Sequence, residues 1–227
     1  DMHSKGGEAE KVNGGGNPYN SLDESLNIEY TNYVKITNED REEQFSNYKN
    51  INFKCIEPFI KKYFLPSNNI LKIVNELEVK YDLNYEDLAA FYYRGTDKFV
   101  ETNICDYYSY IEKAKKIKKD NPNIRFLLTS DEINLIELFK KNFPDTIVFE
   151  EVLSNMSRSF IHSQLILASV LIMSKAKHII CTSGNVSLWI ILFRGHNNNI
   201  NQYLSPKEYI YGVKQKNFDA TNKEFWI

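Results

Sequence analysis

Glycine is scarce in this chain. There are nine among 227 residues, three of them in one run at Gly14, Gly15 and Gly16. No GxGxxG or GxxxxGK spacing occurs, so the sequence carries neither a dinucleotide fingerprint nor a P-loop. The glycine run has no apolar strand before it, and residues 1–20 read as a flexible polar segment. Cysteine is scarcer still. Cys55, Cys105 and Cys181 are too few and too scattered for a disulfide framework. With no CxxC pair, no Cys/His spacing and no HExxH among four histidines, no metal site is expected. A net charge of −2 leaves no global field to attract nucleic acid or an anionic membrane, so an anionic ligand must be held by a few local cations. The most apolar window, residues 165–173, is too short to cross a bilayer, so no membrane segment is expected. No signal peptide is visible, and the chain opens on Asp1 rather than Met. It is therefore expected to be a processed chain or part of a longer one. The cytoplasm is favoured for the chain as given, and the Golgi or ER lumen if a signal or anchor lies upstream.

What is present is the composition of a soluble globular protein, 42% hydrophobic and 26% charged, with 15 Tyr and 14 Phe. Its length suits one large domain or one and a half ordinary ones. The first 50 residues are weakly patterned. Residues 56–64 then carry apolar side chains on one helical face, and residues 67–69 can cap a second helix over 70–81. Residues 88–93, Leu-Ala-Ala-Phe-Tyr-Tyr, read as a buried strand, although periodicity alone leaves a buried helix open. Beyond it the pattern is regular. A helix capped by Asp106 runs to about 119, followed by a strand over 124–128 and a helix over 132–142. A short strand over 146–149, an apolar helix over 163–176, a strand over 178–181 and a helix over 186–193 complete the pattern. From Gly195 the chain is Asn-rich and irregular, ending in Phe225-Trp226. Strands alternating with helices of ten or more residues predict βαβ crossovers and a Rossmann-like parallel sheet with flanking helices.

Three of the strands run into polar turns. These are Arg94-Gly95-Thr96-Asp97-Lys98, Thr129-Ser130-Asp131-Glu132 and Thr182-Ser183-Gly184-Asn185. In a parallel sheet all three lie at the carboxyl edge, where open α/β sheets bind ligands. Arg94 can fork two hydrogen bonds to a phosphate. Ser183, with the backbone at Gly184 and Asn185, suits phosphate oxygens at a helix start. Asp131 or Glu132 can accept from a ribose hydroxyl or a base. Each turn also has a plain structural reading. Arg94 and Asp97 can be an ion pair, the other two turns ordinary helix caps, the tyrosines at 92, 93, 107, 108 and 110 packing, and His162 and His178 structural residues.

The segment Tyr-Tyr-Arg-Gly-Thr-Asp-Lys, the strand ending Thr-Ser-Asp-Glu and the stretch from His178 to Trp189 resemble the carboxyl-terminal half of fucosyltransferases. The resemblance is to the α1,2, α1,6 and protein O-fucosyltransferase superfamily and covers roughly residues 85–195 in order and spacing. It implies a GT-B architecture whose donor-binding domain is 85–227. Residues 1–84 would then be a polar segment and helical lead-in left from an acceptor domain. It implies metal-independent, inverting transfer from a GDP-sugar, GDP-fucose favoured, to a glycan or protein hydroxyl, with no cofactor. Carried over, Arg94 contacts the donor β-phosphate and stabilises charge on the leaving GDP. Thr96, Asp97 and Lys98 complete the first motif. Thr182, Ser183, Gly184 and Asn185 hold the diphosphate, and Asp131 lies near the nucleotide. Glu101 is the candidate general base, since the acceptor hydroxyl must lose a proton. Two positions depart from the pattern: Gly95 stands where the motif has a second arginine, and Tyr92 where it has a leading histidine. The same residues also fit a non-catalytic binder of nucleotide-sugars or protein partners built on that fold.

Overall fold

The apolar aromatic run is strand β1, Leu88–Tyr93, buried along nearly its whole length. It pairs on both edges: with β2, Arg125–Ser130, and with β3, His178–Thr182. A fourth strand, β4, Ile200–Tyr203, pairs with β3. The order is β2-β1-β3-β4 and every pairing is parallel. In the computed structural model the described residues are 36–37, 43–96, 98, 102, 104–154, 160–204, 209–210, 213–214 and 225–227. All of them belong to the unit Lys35–Ile227.

Parallel neighbours require crossovers, and helices supply them. Between β1 and β2 runs α3, Tyr107–Asp120; its cap, Asp106, accepts from the Ser109 N–H at 3.0 Å. After β2 comes α4, Ile133–Asn142. The chain then passes through α5, Glu150–Ser154, and α6, Phe160–Lys175, to β3, and through α7, Asn185–Arg194, to β4. Ahead of the sheet lie α1, Phe53–Tyr63, and α2, Asn68–Lys80. Helices α2 and α7 both pack on α6, and α1 on α7. α6 is mostly apolar with no preferred face, and it packs against α2, α5 and α7, its residues 168–174 buried.

One face of the sheet holds an aromatic core. Phe91 of β1 meets Phe126 of β2 edge-on at 5.4 Å and Phe139 of α4 at 4.9 Å. Tyr93 meets Tyr110 of α3 at 5.1 Å, nearly perpendicular. Such edge-to-face pairs contribute beyond the area they bury. The tyrosines are packing residues here: the Tyr93 hydroxyl donates to the Cys105 carbonyl and the Tyr110 hydroxyl to that of Tyr92. Tyr108 points out, 71% exposed.

The structure differs from the sequence expectations in four places. Residues 146–149 are not a strand. They touch the outer edge of β2 at one parallel bridge, Leu127 with Ile147. The turn at Pro144 and the start of α5 at Glu150 leave no room for more. Second, β2 continues through Thr129 and Ser130, so the polar turn there starts at Asp131. Third, α6 begins at Phe160, where exposed Phe160 and Ile161 give no amphipathic signal. Fourth, the stretch after Gly195 contains β4, and its sequence, Ile-Asn-Gln-Tyr, reads as polar because the buried Gln202 is matched by partners from elsewhere in the chain. Residues 225–227 then close the edge of β4, with Ile227 and Gln202 exchanging two backbone hydrogen bonds of 3.0 Å. The Trp226 ring lies 5.4 Å from Tyr110 and 5.5 Å from Tyr203.

Arg194 ties the far end of α7 down. Its guanidinium donates to the carbonyls of Ser174, Ala176, Lys177 and Asn198, and burial lowers its pKa to about 10. Gly195 follows with φ of 73°, the left-handed conformation that ends helices, and its N–H reaches Ile191. Among the described residues, no helix is long and apolar enough to cross a membrane.

Phe91 is fully buried at the centre of the aromatic cluster. Phe91→Ala is expected to cost about 3–5 kcal/mol of unfolding free energy, read from the midpoint of a urea denaturation curve.

Candidate functional site

With the bridge at Ile147 included, the backbones run 147-β2-β1-β3-β4 across the sheet. The chain winds outward from β1 through β2, then returns to place β3 on the other side of β1. The switch point of this doubly wound sheet is therefore between β1 and β3, and a crevice must open outside their carboxyl ends. A cavity of about 280 Å³ lies at that edge. Its wall contains Arg94 and Tyr92 from β1 and its turn, Thr129 and Asp131 from the end of β2, His162 from α6 and Val186 from α7.

The turn after β1 is held by the turn after β2. The Gly95 N–H donates to Asp131 Oδ1 at 2.9 Å, and the Thr96 hydroxyl reaches the Asp131 carbonyl at 3.4 Å. Gly95 is closely packed. A Cβ there would lie 2.7 Å from Glu132 Cγ and 2.8 Å from Tyr93 Cε1, so an arginine could enter only by displacing those side chains. Glu132 is fixed in turn, accepting from the Tyr107 hydroxyl at 3.1 Å.

The turn after β3 is held from the amino-terminal side. The Tyr48 hydroxyl, fully buried, accepts from the Gly184 N–H at 3.0 Å, and its own proton faces the carbonyls of Gln44, 2.8 Å, and Gly184, 3.0 Å. Burial pushes this phenol far above its ordinary pKa, so it stays neutral. Gln202 of β4 completes the knot. Its Oε1 accepts from the Tyr48 N–H, and its Nε2 donates to the Ser46 carbonyl and to Ser183 Oγ, each at 2.9 Å. The Ser183 hydroxyl donates in turn to the Tyr203 carbonyl at 3.2 Å. Thr182 is buried as the last residue of β3. Lys98 is 7% exposed; its ammonium lies 5.3 Å from the Phe45 ring and its Cε 3.7 Å from where a Cβ of Gly184 would be.

The fold thus brings Arg94 and Asp131 into one cleft, with Thr96 on its Asp131 side and Lys98 beside Gly184. Asn185 is exposed at the start of α7, which has no side-chain cap. The Ser183 hydroxyl and the Gly184 N–H, read from sequence as phosphate donors, already have partners inside the protein. Asp97 and Glu101 lie outside the described residues. Sequence reasoning missed three contributors. Tyr48 and Gln202 lie in stretches that read as weakly patterned or irregular, and His162 reads as a structural histidine. A buried Gln between Asn-rich flanks was the one available signal. Among the described residues no three His, Cys, Asp or Glu side chains gather as a metal cluster would.

Fold and cleft define an open, doubly wound α/β unit with a polar crevice at its switch point. No protein-family model matches the chain, and no curated protein does. Several solved structures resemble it, and two of them are of one enzyme. One is the crystal structure of NodZ alpha-1,6-fucosyltransferase co-crystallized with GDP, at a TM-score of 0.42 and 12% identity over 60% of this chain and 44% of that one. The other is NodZ alpha-1,6-fucosyltransferase soaked with GDP-fucose, at 0.41 and 11% over the same shares, 60% and 44%. The chain spans less than half the length of that enzyme.

Two substitutions test the geometry. Gly95→Ala must displace Glu132 or the buried Tyr93 ring and is expected to lower stability by roughly 1–3 kcal/mol. Tyr48→Phe leaves the Gly184 N–H without its buried acceptor, an expected loss of about 1–3 kcal/mol. Both are read by chemical denaturation, with near-UV circular dichroism confirming that the native packing is retained.

Proposed function

We propose that the chain is the donor-binding part of a glycosyltransferase of the fucosyltransferase-like GT-B type. In this reading residues 85–227 bind a GDP-sugar, GDP-fucose favoured, and the sugar passes to a hydroxyl of a glycan or protein. The observation that carries the reading is positional. The three polar motifs legible in the sequence follow strands β2, β1 and β3, which are parallel neighbours, so all three lie at the same carboxyl edge of the sheet.

The chemistry follows from the groups there. Transfer leaves a nucleoside diphosphate carrying new negative charge. A guanidinium at Arg94, on the cleft wall, would meet that charge with forked hydrogen bonds. The uncapped start of α7 would add backbone N–H groups at Asn185 and Val186. Asp131 already spends one oxygen on Gly95, which holds the arginine's turn in place, and its remaining capacity would go to the nucleotide. The acceptor hydroxyl needs a base, and Glu101 keeps that role as a candidate. The donor reaction in this reading uses no metal and no cofactor.

A second reading has its own support. The internal partners of Ser183 and Gly184 remove two phosphate donors, which favours a unit of this fold that binds a nucleotide-sugar or a protein partner without turning it over.

Calorimetry decides first. The wild type is expected to bind GDP, and Arg94→Ala to weaken binding at least about tenfold, since a hydrogen bond to a charged group contributes roughly 1.5–3 kcal/mol. Equal binding by the two proteins, or none by the wild type, sinks the proposal. Slow release of GDP from GDP-fucose, lost in Arg94→Ala, separates the enzyme from the inert binder.

A further inference from the structure

A second cavity, about 460 Å³ and larger than the polar one, lies between α6, α7 and the link from α1 to α2. Such a volume is in the range of small-molecule sites, roughly 300–1,000 Å³. The two cavities share two wall residues, Ile166 of α6 and Val186 of α7. His162, Ile166 and Val170 are spaced by four along α6 and so lie on one helical face. That face leads from the polar cleft at His162, past Ile166, into the second cavity at Val170.

The wall of the second cavity is nearly without polar groups. Phe64, Trp189, Phe193 and Leu167 contribute rings and hydrocarbon. Ser67, Ser163, the Tyr63 hydroxyl and the Trp189 indole N–H are the polar side-chain groups of its lining residues. A sugar ring carries several hydroxyls, and each left without a partner on burial is costly. Hydrocarbon has no such requirement. The rim is apolar too: Phe64 and Leu65, both on the wall, are 37% and 72% exposed. Adjacent exposed apolar side chains beside a cavity suit a binding surface.

We propose that this groove holds the hydrocarbon portion of the acceptor, an alkyl or acyl chain joined to a sugar, whose hydroxyl then lies in the polar cleft beside His162. The occupant is set by continuity. One molecule that is polar at one end and apolar at the other reaches from the groove, across Ile166 and Val186, to the His162 side of the polar cleft and leaves the Arg94 side to the donor. The inference rests on the donor site proposed above, and its test is kept separate from that site.

Trp189 and Trp226 are the two tryptophans of the chain, so Trp226→Phe leaves Trp189 as the sole emitter, inside the groove. Hexyl, octyl and decyl maltoside, each below its micelle-forming concentration, are titrated with maltose as control. The expected result is a saturable blue shift of Trp189 emission, with affinity rising about fourfold per added methylene until the groove is full. Calorimetry on the wild type gives the same series without relying on the Trp226→Phe variant. Ser163→Phe, at an exposed position on the groove wall, is expected to abolish alkyl binding while leaving GDP binding unchanged. Equal affinity for maltose and decyl maltoside overturns the proposal. So does chain-length-dependent binding that survives Ser163→Phe, or a dimer in sedimentation that Leu65→Asp dissolves, because a second copy would then cover the groove. Alkyl binding without GDP binding supports the groove and removes only the nucleotide-sugar reading.

Discussion

Strand β1 hydrogen-bonds on both edges, to β2 and to β3, and the rest of the molecule follows from that double pairing. A parallel strand cannot reach its neighbour by a tight turn; each connection must cross back over the sheet. The crossovers bury both faces, which is why β1 is apolar almost throughout. They also bring every strand end to one edge. Because β1 lies between strands reached by opposite windings, its own end, Arg94, stands at the crevice.

Polar groups at that edge have two competing uses, and the structure divides them. Some are consumed in holding the turns. The Gly95 N–H goes to Asp131, the Gly184 N–H to Tyr48, and Ser183 and Gln202 satisfy one another. Buried polar groups left unpaired would be costly, so a network of this kind is favourable only when complete. Here both polar atoms of the Gln202 side chain are matched, in three hydrogen bonds, and the segment around Tyr48 is anchored on the sheet through it. The crevice wall itself is built from the Arg94 turn, Thr129, Asp131, His162 and, from the start of α7, Val186. Ligand chemistry at this edge is thus narrower than the motifs alone imply.

α6 links the polar and apolar halves of this surface. Its buried sides serve the core, and one face passes from an imidazole to branched aliphatics over two turns. A helix apolar all round gives no preferred face by its own pattern. Which side lines a cavity is decided by α1, α2 and α7 around it.

Much of the fold was legible from residues alone. Short apolar runs with helices of ten or more residues between them specify parallel strands and crossovers, because burial on both faces leaves little choice of composition. The three polar turns were legible for the same reason: charge and hydroxyls end abruptly where apolar runs stop. Residues 146–149 and 200–203 were misread because pairing there depends on a neighbour rather than on the local pattern. A single bridge suffices for Ile147, and Gln202 is stabilised inside a strand by Ser46, Tyr48 and Ser183, residues 19 to 156 positions away. The sequence by itself determined the sheet, its direction and the edge that carries charge. Only the tertiary structure decided which charged and hydroxyl groups line the crevice, which side chains crowd Gly95, and that an apolar groove adjoins the site. Those outcomes are set by contacts between segments distant in the chain, and no local periodicity records them.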